Sequence, residues 1–256
     1  MVEARRGSIS RLTAAVIAAT LLTACANAQA SGGQPARNSS PMTATSAVQT
    51  PARGTEPLVA PAPLFDPSID LRAAPVDVPL ELRLPSLRLT APVFGVGLNS
   101  KNVMDTPLGS ASAPVWREVF WYRGGGIPGE ATTATIAGHV DDVLGRPAIF
   151  ARLKDLRVGD TVTVRNTRTG LAVDFLVTRT ITYTLKQTVD PAVLAQIYGS
   201  GPVTGQGPQP SPDGLSHLTL ITCTGNWIGS AGTFDHRLVV YAVGIPSAPT
   251  PDRSRS

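Results

Sequence analysis

Charge is scarce in this chain. Only 16% of its 256 residues are Asp, Glu, Lys or Arg, against roughly 25% in ordinary globular proteins. Lysine is scarcer still, at Lys101, Lys154 and Lys186. The net charge of +4 is spread without a basic run or stripe, which excludes a nucleic-acid-binding surface. Aromatics are 5% and cysteines number two, Cys25 and Cys223. No Cys/His pair has metal-ligand spacing, so no metal site is expected. No Gly-rich loop stands between a strand and a helix, so no phosphate-binding cofactor is expected. The longest apolar run, 12–24, is too short for a spanning helix, which needs about 20 residues.

That run does fit the core of a secretory signal. Arg5, Arg6 and Arg11 precede it, and it closes on Leu22-Thr23-Ala24-Cys25. The ending resembles a bacterial lipobox, in which the cysteine receives a diacylglycerol before cleavage. This predicts a signal peptide over 1–25, lipidation at Cys25 and an extracytoplasmic lipoprotein held to the membrane by its lipid. The alternative is cleavage after Ala28-Gln29-Ala30, giving a secreted protein. A Cys25–Cys223 disulfide is excluded on either reading, because Cys25 closes the export signal.

Glycine and proline are abundant, at 24 and 23 residues, and proline is concentrated early. Residues 26–76 are rich in Ala, Ser, Thr and Pro with no sustained apolar period. Such a segment cannot bury enough surface to offset its ordering entropy, and it is expected to be a disordered stalk. A folded domain is expected over 77–245, ample for one core, with a loose tail over 246–256.

Inside the domain, alternation of apolar and polar residues marks strands at 80–84, 87–89 and 161–165. The β-leaning stretches 133–137, 171–184, 217–222 and 237–242 bring the total to about eight. Helix signals are few. Asp190 as cap, Pro191 at the first position and Gly199 as stop predict a helix over 191–198. A further helical turn near 146–153 is the second candidate. Many short strands with few helices indicate an all-β barrel or sandwich.

Three residues could carry chemistry. Cys223 ends an apolar strand beside a glycine-containing loop, where scaffolds present reactive groups. A thiol needs a partner to ionise at neutral pH. His217 lies on the same strand, but six residues put it roughly 20 Å away. His236 is expected to point opposite to Arg237. His139 ends another short strand after Gly138, a glycine that lets the backbone turn, and two strand ends on one rim would bring it to Cys223. Arg237 opens the last strand and would stand beside Cys223 if the two strands pair across their loop. There it could stabilise an oxyanion or grip a substrate backbone. Asp141 and Asp142 could orient His139 or bind a cation, with a solvated turn as the simpler reading. Trp121 and Trp227 are expected to be packing groups.

Three segments, in order, resemble the sortases, the cysteine transpeptidases of Gram-positive surfaces. They are Ala134-Thr135-Ile136-Ala137-Gly138-His139-Val140-Asp141, Leu220-Ile221-Thr222-Cys223-Thr224-Gly225 and Arg237-Leu238-Val239-Val240-Tyr241-Ala242. The wording around His139 and the stalked, single-anchor layout are closest to class F. The resemblance implies a closed eight-stranded β-barrel and a catalytic trio of His139, Cys223 and Arg237. It implies attack of the Cys223 thiolate on the Thr–Gly bond of a Leu-Pro-x-Thr-Gly-like sorting signal on surface proteins. The thioacyl enzyme would pass to an amine on a cell-wall precursor or another acceptor, or to water. Thr222 and the loop 185–216 are the candidates for signal binding. A hydrolase, or a binding module whose chemistry has lapsed, is the alternative. With nearly ordinary pKa values the neutral thiol–imidazole pair would dominate, predicting slow turnover with a bell-shaped pH profile.

Overall fold

The computed structural model describes residues 71, 72 and 74–245. The anchor expected at Cys25, nearly all of the stalk, and the tail lie outside the described residues. Leu71 and Arg72, within the segment read as stalk, already bond the loop after the second strand. Leu98 N–H donates to the Leu71 carbonyl at 2.8 Å and Arg72 Nη1 donates to the Asn99 carbonyl at 2.7 Å.

Eight strands close into a barrel. They are β1 (Val76–Leu84), β2 (Leu89–Val96), β3 (Val119–Tyr122), β4 (Thr133–Gly138), β5 (Thr161–Asn166), β6 (Ala172–Thr184), β7 (His217–Ile228) and β8 (Thr233–Gly244). Their order around the barrel is β1-β2-β3-β4-β7-β8-β6-β5, and β1 pairs with β5 to close it. Two pairs are parallel, β2 with β3 and β4 with β7. Parallel neighbours need a crossover instead of a hairpin, so the long connections 97–118 and 139–216 are consequences of the topology. Two short helices, α1 (Pro191–Tyr198) and α2 (Ser200–Val203), lie in the second of them.

Alternation fills the barrel. Leu80, Leu82 and Leu84 of β1, Val162 and Val164 of β5, and Val173, Phe175 and Val177 of β6 are buried in one interior cluster. Glu81 and Arg83 face outward as an ion pair. β3 follows another rule. All four residues of Val-Phe-Trp-Tyr are buried: Val119 and Trp121 join the interior, while Phe120 and Tyr122 join an outer cluster with Met104, Val115 and Trp116.

The α1 signals act as read. The Asp190 carboxylate accepts from the Ala192 N–H at 2.8 Å and Pro191 opens the helix. Its last turn is pinned to the barrel by Thr135, whose hydroxyl donates to the Ile197 carbonyl at 2.6 Å. Ile197 packs there with Tyr183, Val239 and Tyr241 on the outer face. The turn expected near 146–153 is a short 3-10 turn, Leu153–Asp155.

Candidate active site

The barrel's pairing decides which residues meet. β7 and β8 are antiparallel, and their register sets Cys223 directly opposite Arg237. Directly opposed residues project from one face with Cβ atoms about 5 Å apart. β4 runs parallel to β7, with Ala137 opposite Ile221 as the last rung. Beyond that rung the Thr222 hydroxyl donates to the Gly138 carbonyl at 2.8 Å, a buried bond. The two strands therefore leave the barrel side by side, one carrying His139 and the other Cys223. Thr222 lines the cavity, but its hydroxyl is committed to this tie.

Gly138 is needed for a different reason from the one expected. Its φ is not positive, so no unusual turn is made there. A Cβ at this position would lie 2.5 Å from the Phe150 ring. The glycine lets Phe150 pack against the strand end that carries His139.

His139 is fixed by its surroundings. Its Nε2 lies 2.8 Å from the Pro107 carbonyl oxygen. A carbonyl only accepts, so Nε2 carries the hydrogen and Nδ1 is the atom left to exchange a proton. The ring packs on Trp116 (centroids 4.8 Å apart) and edge-on to Phe120 (5.7 Å). Burial among these groups lowers the imidazole pKa, with the Pro107 bond and nearby Asp141 opposing the shift.

Arg237 is tied to the β7–β8 hairpin. Nη1 donates to the Phe234 and His236 carbonyls at 3.0 and 2.9 Å, and Nη2 donates to Thr233 Oγ1 at 2.9 Å. Of its five N–H groups, Nε–H and the second Nη2–H have no acceptor among the described residues. Burial pushes the Cys223 thiol up. The Arg237 charge and a hydrogen bond with Thr233 pull it down, and Asp141 adds to the rise.

His139, Cys223 and Arg237 line one cavity of about 390 Å³. No hydrogen bond joins His139 to Cys223 among the described residues. With the thiol raised and the imidazole lowered, the resting pair is neutral. A second cavity, about 570 Å³ and mainly apolar, adjoins the first. Arg237, Tyr198, Ile221, Val103 and Met104 line both. The loop 185–216 supplies much of the second wall, through Val189, Leu194, Ile197 and Val203 among others. Tyr198, partly buried at the junction, has its phenol pushed up to about 12 by desolvation, with Tyr122 adding to the rise.

The other candidates fall elsewhere. His217 bonds Asp213 at 3.0 Å and His236 bonds Asp235 at 2.6 Å, and neither lines the two cavities. Asp142 is a turn residue, accepting from the Leu144 and Arg146 backbone and from Arg146 Nε at 2.6 Å. Trp121 is a core residue, as expected. Trp227 is not: it is 60% exposed, stacks edge-on against Phe234 and lines the first cavity. Sequence reasoning missed Pro107, Trp116 and the segment 97–113. The available signal was its length, too great for a hairpin between neighbouring strands. Among the described residues, no three His, Cys, Asp or Glu side chains converge to hold a metal ion.

Residues 82–244 match the family described as the sortase domain. No curated protein matches the chain. Among solved structures, the chain is similar to a lid mutant of sortase A from Corynebacterium diphtheriae, at 18% identity over 70% of this chain and 76% of that one, with a TM-score of 0.44. It is similar to sortase C-1 from Actinomyces oris, at 20% identity, 66% and 73% coverage and a TM-score of 0.42. For sortase C1 from Streptococcus agalactiae the values are 22% identity, 67% and 69% coverage and 0.43. The family match spans well over half of the chain and takes in β2 to β8 whole and the end of β1, and on that ground the chain belongs to the sortase family of transpeptidases.

Proposed function

We propose that Cys223 is the nucleophile of a class F-type sortase, with His139 as proton carrier and Arg237 as the fixed cation. The substrate is a Leu-Pro-x-Thr-Gly-like sorting signal on a surface protein. The acceptor is an amine on a cell-wall precursor or another amine. One observation carries the reading: the three side chains line one cavity, with Cys223 facing Arg237 across β7 and β8.

The chemistry follows from the geometry. The reactive form is the thiolate beside the imidazolium. Sulfur attacks the Thr carbonyl carbon, and the C–O electron pair moves to oxygen. The free N–H groups of Arg237 meet that negative oxygen, at a point where developing charge is worth stabilising. The C–N bond then breaks, and the Gly nitrogen takes the proton from His139 Nδ1. Pro107 keeps the Nε2 hydrogen in place throughout. An amine then attacks the thioester by the reverse path, returning a proton to His139 and the electron pair to sulfur. The apolar second cavity would take the Leu-Pro end of the signal, and its loop 185–216 wall would set signal preference.

Sortases typically act outside the cytoplasm, and no helix among the described residues is long and apolar enough to cross a membrane. Lipid at Cys25 would hold this enzyme at the cell surface. Mass spectrometry of the amino-terminal peptide tests that, since an unmodified start near Ser31 would replace the anchor with secretion. For the chemistry, a panel of Leu-Pro-x-Thr-Gly peptides is incubated with and without an amine. Wild type should give a thioester adduct at Cys223 and, with amine, a joined product. The Cys223→Ala protein should stay folded and cleave nothing. Retained cleavage in that variant refutes the mechanism.

A further inference from the structure

The cavity holding Cys223 continues past His139 to a carboxylate that the acylation chemistry does not use. Asp141 lies two residues beyond His139 and lines the same cavity. Its neighbour Asp142 is held by Arg146 and backbone N–H groups, as described above. Among the described residues Asp141 makes no ion pair with a Lys or Arg and no hydrogen bond to another side chain; its carboxylate is held by its own backbone N–H and felt by His139. Its charge raises both the Cys223 thiol and the His139 imidazole, so it does not by itself favour the thiolate–imidazolium pair over the neutral one. A partly buried carboxylate on the wall of the reaction cavity, with no cationic side chain paired to it among the described residues, is placed to receive a cation carried by a ligand.

The direction of attack supplies one. The incoming amine reacts along the path by which the Gly amine left, on the side where His139 takes and gives the proton. That path lies in the first cavity. A primary amine is mostly an ammonium ion at neutral pH, since such groups have pKa values of about 8 to 10. The mouth of the same cavity bears exposed apolar side chains at Leu108 (76%), Val143 (58%) and Trp227 (60%). Trp227 and Phe234, packed edge to face, both line this cavity, and aromatic rings attract cations.

We infer that Asp141 is the acceptor-recognition residue, its carboxylate receiving a cationic primary amine carried on an otherwise neutral or apolar body. This rests on the transpeptidase reading above. In the step, the bound ammonium releases one proton to water. The free amine attacks the thioester carbon, its second proton passes to His139, the new C–N bond forms, and the C–S pair returns to sulfur.

The test uses the full chain, the best-cleaved peptide of the panel, and two nucleophiles. Triglycine amide is cationic at its amine; hydroxylamine is uncharged at neutral pH. The readout is the ratio of joined to hydrolysed product against nucleophile concentration. Asp141→Asn should raise the half-saturating concentration of triglycine amide about three- to fivefold, as for loss of a partly screened ion pair. Hydroxylamine transfer should shift less than twofold, and Asp141→Glu should restore most of the triglycine effect. In wild type, added salt should weaken triglycine amide and leave hydroxylamine unchanged, a readout that needs no variant. An unchanged triglycine curve in Asp141→Asn, or an equal fall for both nucleophiles, overturns the inference. Failure of the parent reading looks different: wild type would then form no Cys223 thioester with any peptide.

Discussion

The role of Arg237 can be separated into a charge and a shape. Arg237 opposes Cys223 in the β7–β8 register, and both side chains are partly exposed. Opposite charges about 5 Å apart interact by roughly 3 kcal/mol at an effective dielectric of about 20. Screening at a half-exposed site weakens that attraction, and what is left still favours the thiolate. Arg237→Ala should therefore raise the thiol further and lower the thiolate fraction near pH 7.5. Loss of the oxyanion donors should add a factor of about 10² to 10³. Together the two losses should lower kcat/KM by more than about 10².

Arg237→Lys separates the two parts. The guanidinium is clamped by three hydrogen bonds to Thr233, Phe234 and His236, a fork that an ammonium cannot reproduce. Lysine keeps the charge and loses the aim. Alkylation of Cys223 by iodoacetamide from pH 6 to 10.5 reads the thiolate without any substrate. There Arg237→Ala should shift the curve to higher pH, and Arg237→Lys should track wild type closely. In the peptide assay both variants should be poor. An alanine variant whose alkylation curve overlays wild type would refute the electrostatic argument. A lysine variant with full kcat/KM would refute the geometric one.

Three further outcomes are expected. Burial lowers His139 and raises Cys223, so the limbs of the pH–kcat/KM profile should lie further apart than the ordinary values of about 6.5 and 8.5. The expected bell thus becomes a broad plateau, with an ion-pair fraction below about 1% at its top; a sharp optimum would contradict it. Thr222→Val leaves the buried Gly138 carbonyl without its partner and should cost about 1–3 kcal/mol in denaturant unfolding. Gly138→Ala drives a Cβ into Phe150 and should cost about 1–3 kcal/mol, with activity falling further because His139 is displaced.

The sequence was readable where a structural rule has a period. β1 and β5 alternate, and their buried faces are the ones alternation assigns. α1 begins and ends on its cap residues. β3 has no period to read, because both of its faces are covered and it is four residues long. Cys223 and Arg237 were legible as a pair because antiparallel strands joined by one loop must place some residues opposite each other. His139 was legible only as a strand end, since a parallel neighbour 80 residues away leaves no local trace.

What could not be read is what holds the imidazole. The Pro107 carbonyl is backbone, which every residue possesses, and only folding decides which one reaches Nε2. Yet this contact assigns the chemistry. With the Nε2 hydrogen taken by a carbonyl in both charge states, proton exchange passes to Nδ1, and the ring cannot turn over without giving up that bond and its packing on Trp116. Strand register brings the proposed trio together, and in the proposed mechanism the atom that moves the proton is set by a loop of unremarkable composition. A variant that loosens 97–113 should therefore weaken catalysis while leaving the barrel, and the reactivity of Cys223 toward iodoacetamide, largely as they were.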